Sequence, residues 1–286
     1  MIPPSFGDVA LDCRNLFTKE YNYGSYKVDV SSKTNGWDFT SLYSSNHDSK
    51  EVSGNATMKY NLEDYNAKLK WKLTTSKFME KEIEWTPKFL DGFKMLSKFS
   101  LEPETGHRQS SLKFNYKRDL AHVESQFEQT LDGYRKSVAL TLAHSGCILG
   151  YKLRFDSQDL GMGSVALNKG IFGYKHSNYQ LYISIEDFNR MGIHALVNQN
   201  KNLTTGIQFY RSVTDKGKAI DFSFGAKYKT DEGSYVGAKL DNHGKVGVFY
   251  KIPVLKDVKL TMSTLIDAKN FGQGGHKMGL GIKYEN

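Results

Sequence analysis

An alternation of apolar and polar residues runs through this chain from about residue 25 to its end, and it constrains the fold more than any other feature. In 220–229, Ile220, Phe222, Phe224, Ala226 and Tyr228 share one face, while Asp221, Ser223, Gly225, Lys227 and Lys229 share the other. Val246, Val248, Tyr250 and Ile252 oppose Lys245, Gly247, Phe249 and Lys251. Leu260, Met262, Thr264, Ile266 and Ala268 oppose Lys259, Thr261, Ser263, Leu265, Asp267 and Lys269. The last segment repeats the pattern with Met278, Leu280, Ile282 and Tyr284, and earlier ones carry Tyr26, Val28 and Val30, then Leu69, Trp71 and Leu73. A period of two is that of a strand with one dry and one wet face. Turn-forming residues fall between the runs at 102–106, 198–202, 230–233 and 241–244.

The alternation predicts an all-β meander of hairpins over 25–286, preceded by a separate segment, 1–24. At roughly 10 residues per strand and three or four per turn, that length holds roughly 19 or 20 strands. An open sheet so long would leave two unpaired edges. A closed barrel removes them by pairing the last strand with the first, near Tyr26–Val30. A barrel of about 16 strands or more has an aqueous interior, so the polar face lines the lumen and lipid meets the apolar face. A soluble β-sandwich alternates equally well and stays open as an alternative. Regularity without long crossover loops favours the barrel.

Composition agrees with long strands and tight turns: 26 glycines, 5 prolines and 13% aromatic residues in 286. The longest stretch free of Lys, Arg, Asp and Glu is 137–151, too short for a transmembrane helix. A mean hydropathy of −0.53 does not exclude a membrane barrel, whose alternating faces average to polar. The net charge of +8 suits anionic partners without choosing among them.

Residues 5–20 break the pattern. Ser5 is a good N-cap, with Asp8 three residues on in place of the usual Glu. Phe6, Val9, Ala10, Cys13 and Phe17 fall at helical spacing, opposite Asp8, Asp12, Arg14, Asn15 and Lys19. The expected element is one short amphipathic helix. The membrane surface, a partner's groove and the inside of the barrel could each take it; its narrow stripe and mixed charge make a poor membrane anchor and suit the inside of a wide barrel. There it would rest on the few apolar lumen residues, such as Phe249 or Leu265, and place Arg14 and Lys19 in the ion path.

No nucleophile elbow, Walker loop or HExxH motif occurs, and the histidines have no metal-ligand spacing. No enzyme activity, cofactor or metal is expected. Cys13 reads as a packing residue and Cys147 as a wall or turn residue. The stripe Glu80, Glu82, Glu84 reads as a solvated strand face or a cation site at the rim.

The motifs "PPSFGDV", "CRNLFTKEYNYG" and "WDFTS", with "GFK" at 92–94, "FGAKY" at 224–228 and the ending "KLTMSTLIDAKNFGQGGHKMGLGIKY", resemble the mitochondrial voltage-dependent anion channels. The resemblance spans the chain and is most specific at its ends. It implies a barrel of nineteen strands closed by a parallel first–last pair, with the helix in the lumen, so the count above is not independent of it. It implies a voltage-gated, weakly anion-selective channel of the mitochondrial outer membrane for ATP, ADP, phosphate and organic anions. The expected partners are the lipid bilayer, with ATP, NADH and small anions as permeants or weak ligands. A homo-oligomer is compatible, and nucleic acid is not expected. The family's nucleotide contacts fall by resemblance on Lys19, on Lys245, Val246 and Gly247, and on Ser263, Thr264, Leu265, Ile266 and Asp267. Lys19 and Lys245 would supply charge, and Gly247 close backbone approach. Lys239, with Lys245, belongs to the excess of wet-face lysines expected to favour anions. The chain departs from the family with Leu11 where lysine is usual, with Leu69 where some members carry a glutamate, and with Glu20 and Asn22 where a hinge is usually glycine. These predict a stiffer linker. A related barrel acting in protein import and a soluble β-protein binding an anionic ligand are the rival readings.

Overall fold

A computed structural model describes residues 2–76, 78–161, 163–214, 220–230 and 233–286. Asp231 and Glu232 of the turn expected at 230–233 lie outside the described residues. The chain begins with a short 3-10 turn (Phe6–Asp8) and one α-helix, α1 (Leu11–Thr18). Strands β1 (Ser25–Thr34), β2 (Trp37–Asn46), β3 (Val52–Leu62), β4 (Ala67–Thr74), β5 (Met79–Trp85), β6 (Phe93–Leu101), β7 (Arg108–Lys117), β8 (Ala121–Thr130), β9 (Gly133–His144) and β10 (Cys147–Ser157) follow. The rest are β11 (Ser164–Lys175), β12 (Tyr179–Glu186), β13 (Arg190–Asn198), β14 (Leu203–Ser212), β15 (Asp221–Lys229), β16 (Tyr235–Asp241), β17 (Lys245–Leu255), β18 (Val258–Asp267) and β19 (Lys277–Glu285).

All nineteen described strands form one sheet, each antiparallel to its neighbours in sequence except where the sheet closes. There β1 and β19 run parallel, with Tyr26 opposite Leu280, Val28 opposite Ile282 and Val30 opposite Tyr284. An odd number of strands in a meander leaves the first and last pointing the same way, so closure has to be parallel. No strand edge remains, as hydrocarbon requires. The apolar partners stay in step across the seam, as in Tyr26–Leu280–Met262, so the dry face continues around the barrel. Among the strands proline occurs once: Pro253 sits near the end of β17, where the register shifts before Leu255.

The outer face carries exposed apolar residues, among them Val28, Phe114, Leu140, Phe172, Ile183, Phe224 and Met262. In a soluble fold that surface would be a severe liability; in a barrel it is the lipid face. The buried residues lie inside instead. Phe6, Val9, Ala10, Cys13, Leu16 and Phe17 pack on Ala139, Ala143, Ile148, Ile171, Tyr182 and Leu196 of the inner wall.

The N-terminal segment differs from one continuous helix. The Ser5 hydroxyl accepts from the Asp8 amide (3.2 Å) and donates to the Asp8 carboxylate (2.6 Å). Asp8 is thus engaged with the Ser5 side chain rather than reaching its backbone amide as a capping-box Glu would. A single 3-10 turn results, and Ala10 then takes a left-handed conformation (φ 59°, ψ 20°) before α1 starts. The kink lets Phe6 and Val9 ahead of it, and Cys13, Leu16 and Phe17 beyond it, all reach the wall. The expected resting places are placed differently: Phe249 is buried against Tyr21 of the linker, and Leu265 lies outside the buried cluster.

Leu280→Arg places a charge on the lipid face and should weaken insertion by about 2–4 kcal/mol. Lumen-facing Lys27→Gln should insert as the wild type does. Resistance to alkaline carbonate extraction of reconstituted membranes measures both, and equal insertion of the two variants would contradict this assignment of faces.

Candidate permeation pathway

The lumen is shaped by how the N-terminal segment seats on the wall. Burial of Phe6, Val9, Leu16 and Phe17 contributes about 1.5–3 kcal/mol per side chain, more than any solvent-facing ion pair in a wet lumen. Apolar contact therefore holds the segment, and polar contacts set its register. The Phe6 amide donates to Glu124 on β8 (2.8 Å), which also pairs with Lys113 (2.6 Å). Asp12 accepts from Lys175 (3.0 Å) and Gln180 (3.1 Å). Burial opposes ionisation of Asp12, but those two hydrogen bonds outweigh it and hold its carboxyl below the usual range. Cys13 is fully buried, and burial pushes its thiol up to about 12.

The wall is made to receive this segment. Gly150 stands 3.1 Å, measured from where its Cβ would be, from the Phe6 ring, Gly206 2.7 Å from Leu16, and Gly225 2.9 Å from Phe17. A side chain on Gly247 would overlap the Tyr23 hydroxyl, and one on Gly279 the Asn22 carbonyl. The period-two pattern puts these glycines on the wet face, and their lack of a side chain gives the segment its seat.

The linker after α1 is tied to the wall through Glu20 and Asn22. Glu20 adopts a positive φ of 72°, which costs a non-glycine residue roughly 1–2 kcal/mol. Its carboxylate receives Lys251 (2.6 Å) and the Thr261 hydroxyl (3.4 Å). The Asn22 amide donates to the Ser263 hydroxyl (3.0 Å). Lys239 donates to the Phe17 carbonyl at the end of α1 (2.6 Å) and lies over the rings of Tyr21 (4.3 Å) and Tyr23 (5.3 Å). It thus caps the helix C-terminus and engages the linker rather than standing free as a pore charge.

The remaining lumen charges divide by wall. Across β4–β6 each acid of the stripe meets a lysine: Glu80 with Lys72 (3.7 Å) and Lys98 (3.1 Å), Glu82 with Lys70 (3.3 Å), Glu84 with Lys94 (2.7 Å). That stripe is a neutralised zipper, and the described residues hold no cluster suited to a metal. Farther round the barrel, Lys259 and Lys283 of β18 and β19 share Glu285 (2.7 and 2.5 Å), while Lys227 of β15 lies over the Tyr235 ring (4.6 Å). Lys19, Lys227, Lys251 and Lys259 surround a recess of ≈ 310 Å³ beside the end of α1.

The residues expected to contact nucleotide divide by face. Lys245, Gly247, Ser263, Leu265 and Asp267 lie on the lumen side, with Lys245 opposite Asp267 and Gly247 opposite Leu265. Val246, Thr264 and Ile266 lie on the lipid side. Lys19 lies at the recess, and Arg14 donates to the Gly7 carbonyl across the kink. Sequence reasoning missed Leu16, Lys175, Gln180, Tyr21 and Tyr23. The one available signal was the alternating aromatics of "EYNYG".

A closed nineteen-stranded barrel with an apolar outer face and a wet, charge-lined lumen defines a membrane-channel architecture. The sequence profile of the eukaryotic porins matches residues 2–279, and the chain belongs to that family. It is 31% identical over its full length to the Drosophila melanogaster "Voltage-dependent anion-selective channel", all of which is covered. It is 30% identical to the Homo sapiens "Non-selective voltage-gated ion channel VDAC1", with 99% of both chains covered.

Seating of the segment is measurable through Cys13. In a Cys147→Ser background, maleimide labelling of Cys13 should be slow. Lys239→Met removes a charge-assisted hydrogen bond and two ring contacts and should speed labelling roughly tenfold, the equivalent of about 1.4 kcal/mol. An unchanged rate would show that Lys239 does not hold the segment.

Proposed function

We propose that this chain is a voltage-gated channel of the mitochondrial outer membrane with a modest preference for anions, passing ATP, ADP, phosphate and organic anions by diffusion. The observation that carries the anion preference is the excess of lysine over acid on the lumen face. Acids on the β4–β6 wall are neutralised by lysines, while the wall nearest the linker keeps Lys19, Lys227, Lys229 and Lys245 in excess of its acids. A wide wet lumen screens each charge within about 8 Å at physiological salt, so discrimination is slight and fades as salt rises. The two relatives' names, one anion-selective and one non-selective, suit a weak preference.

Under a KCl gradient the reversal potential should have the sign of chloride preference. Lys227→Glu with Lys245→Glu should move it toward cations without touching the Lys239 contacts. A wild-type pore selecting potassium would overturn the reading and favour the import-type barrel.

Weak nucleotide contact belongs to the same wall, with Lys19, Lys227 and Lys245 facing the phosphates and Ser263 and Asp267 near the sugar or base. Titration with ATP should move NMR signals of these residues and leave outward-facing Val246 and Ile266 less affected. Closure under voltage follows from displacement of α1, which carries Arg14 and is followed by Lys19. Because Glu20 and Asn22 are tied to β17 and β18, closure should be weaker or slower than with a glycine hinge. Glu20→Gly relieves the strained φ and removes the Lys251 pair, so it should speed closure. An unchanged conductance–voltage curve would show that the linker does not tune gating.

A further inference from the structure

We propose that the outer surface of β4–β6 holds a site for the phosphate of an anionic glycerophospholipid, with Lys81 as its cation. In β5 the acids Glu80, Glu82 and Glu84 face the lumen, so Met79, Lys81, Ile83 and Trp85 face lipid, and Lys81 is exposed. It lies between Trp71 of β4 and Phe99 of β6 in register, with the outward Ser97 diagonal to it. A cation on the lipid face of a barrel is costly at depth and marks a functional position by default.

The other outward basic residues are accounted for by position or partner. Arg108 begins β7, Arg211 is the last residue but one of β14, and Lys136 donates to the carbonyls of Leu160 and Gly161 (2.5 and 2.7 Å). Lys81 sits within its strand and has no ion pair among the described residues. Every strand Asp and Glu among the described residues falls on the lumen face by register, so a second copy of this chain offers no carboxylate to Lys81. A water-soluble anion does not enter this face. The bilayer itself supplies the complementary charge.

The local geometry brings that charge within reach. β5 has only 7 residues, against 10 in β7 and 11 in β3. At about 3.3 Å per residue and a tilt of roughly 40°, it spans about 18 Å of depth, less than the apolar band of about 25 Å typical of such barrels. Lipid must thin here to meet the strand ends. Lys81 is two residues from Met79, about 5 Å in depth, and an extended lysine stem covers that distance. The ammonium then meets headgroup phosphate on the β4–β5 turn side, in the neighbourhood of Trp71, its register partner on β4.

Trp71 is the reporter. In a Trp37→Phe, Trp85→Phe background it is the sole tryptophan, since the chain has three. The full-length protein is reconstituted in phosphatidylcholine containing brominated phosphatidylglycerol or, at matched bromine content, brominated phosphatidylcholine. Brominated phosphatidylglycerol should quench Trp71 at least twofold more efficiently. Lys81→Gln, which removes a lipid-facing charge and should not impair insertion, should abolish the difference, and Lys81→Arg should keep it. A sole tryptophan placed by Phe172→Trp on the far outer wall should show no preference. Equal quenching by the two lipids, persistence of the difference in Lys81→Gln, the same preference at position 172, or its loss on adding millimolar inorganic phosphate would each overturn the lipid site.

Discussion

Backbone hydrogen bonding in hydrocarbon is the constraint on which this structure rests. No water is available there to satisfy an unpaired amide, so each strand needs two neighbours and the sheet has to close. The parallel ladder between Tyr26–Ser31 and Leu280–Glu285 supplies the last set of partners. The alternation of side chains follows from it: once the ladder is closed, each strand residue faces either lipid or lumen. The dry and wet faces then have separate work, one burying apolar surface in the bilayer, the other carrying charge for solutes.

The N-terminal segment exploits a different economy. Apolar side chains inside a polar lumen need apolar or bare backbone surface to meet. Ala139, Ala143, Ile148 and Leu196 supply the first, and the glycines of β10, β14, β15, β17 and β19 supply the second. Charged contacts then fix which residue meets which, Asp12 at Lys175, Phe17 at Lys239, Glu20 at Lys251. A segment held by a lane of close contacts moves as a unit or not at all, so its linker matters more than any single pair.

Much of this was legible in the sequence. Period two fixes the face of residues such as Phe224, Lys227 and Leu280 without any knowledge of partners, because a strand side chain has only two directions. Phe6, Val9, Ala10, Cys13 and Phe17 were rightly read as the packing side of the N-terminal segment, but as one helix, whereas only Cys13 and Phe17 lie in α1. What alternation does not encode is which distant segment lies over a wet face. Gly247 read as allowing close backbone approach, and the Tyr23 hydroxyl packs against it; Lys239 read as one of the wet-face lysines, and it also caps α1. Both depend on contacts across more than 200 positions, such as Lys239 to Phe17 at a separation of 222. The break at Ala10 was illegible because nothing about alanine favours a left-handed φ; the packing on either side selects it.

The seam also governs how the protein is made. Ser31 and Tyr284, joined by a hydrogen bond, are 253 positions apart, nearly the length of the chain. Hairpins can form as their residues appear, but the final ladder has the largest loop to close and waits for the last strand to be synthesised. Until then the growing sheet has two raw edges, each a template for pairing with another chain. A nascent polypeptide of this design therefore has to be shielded until β19 arrives, and losing that strand would leave a sheet that cannot seal.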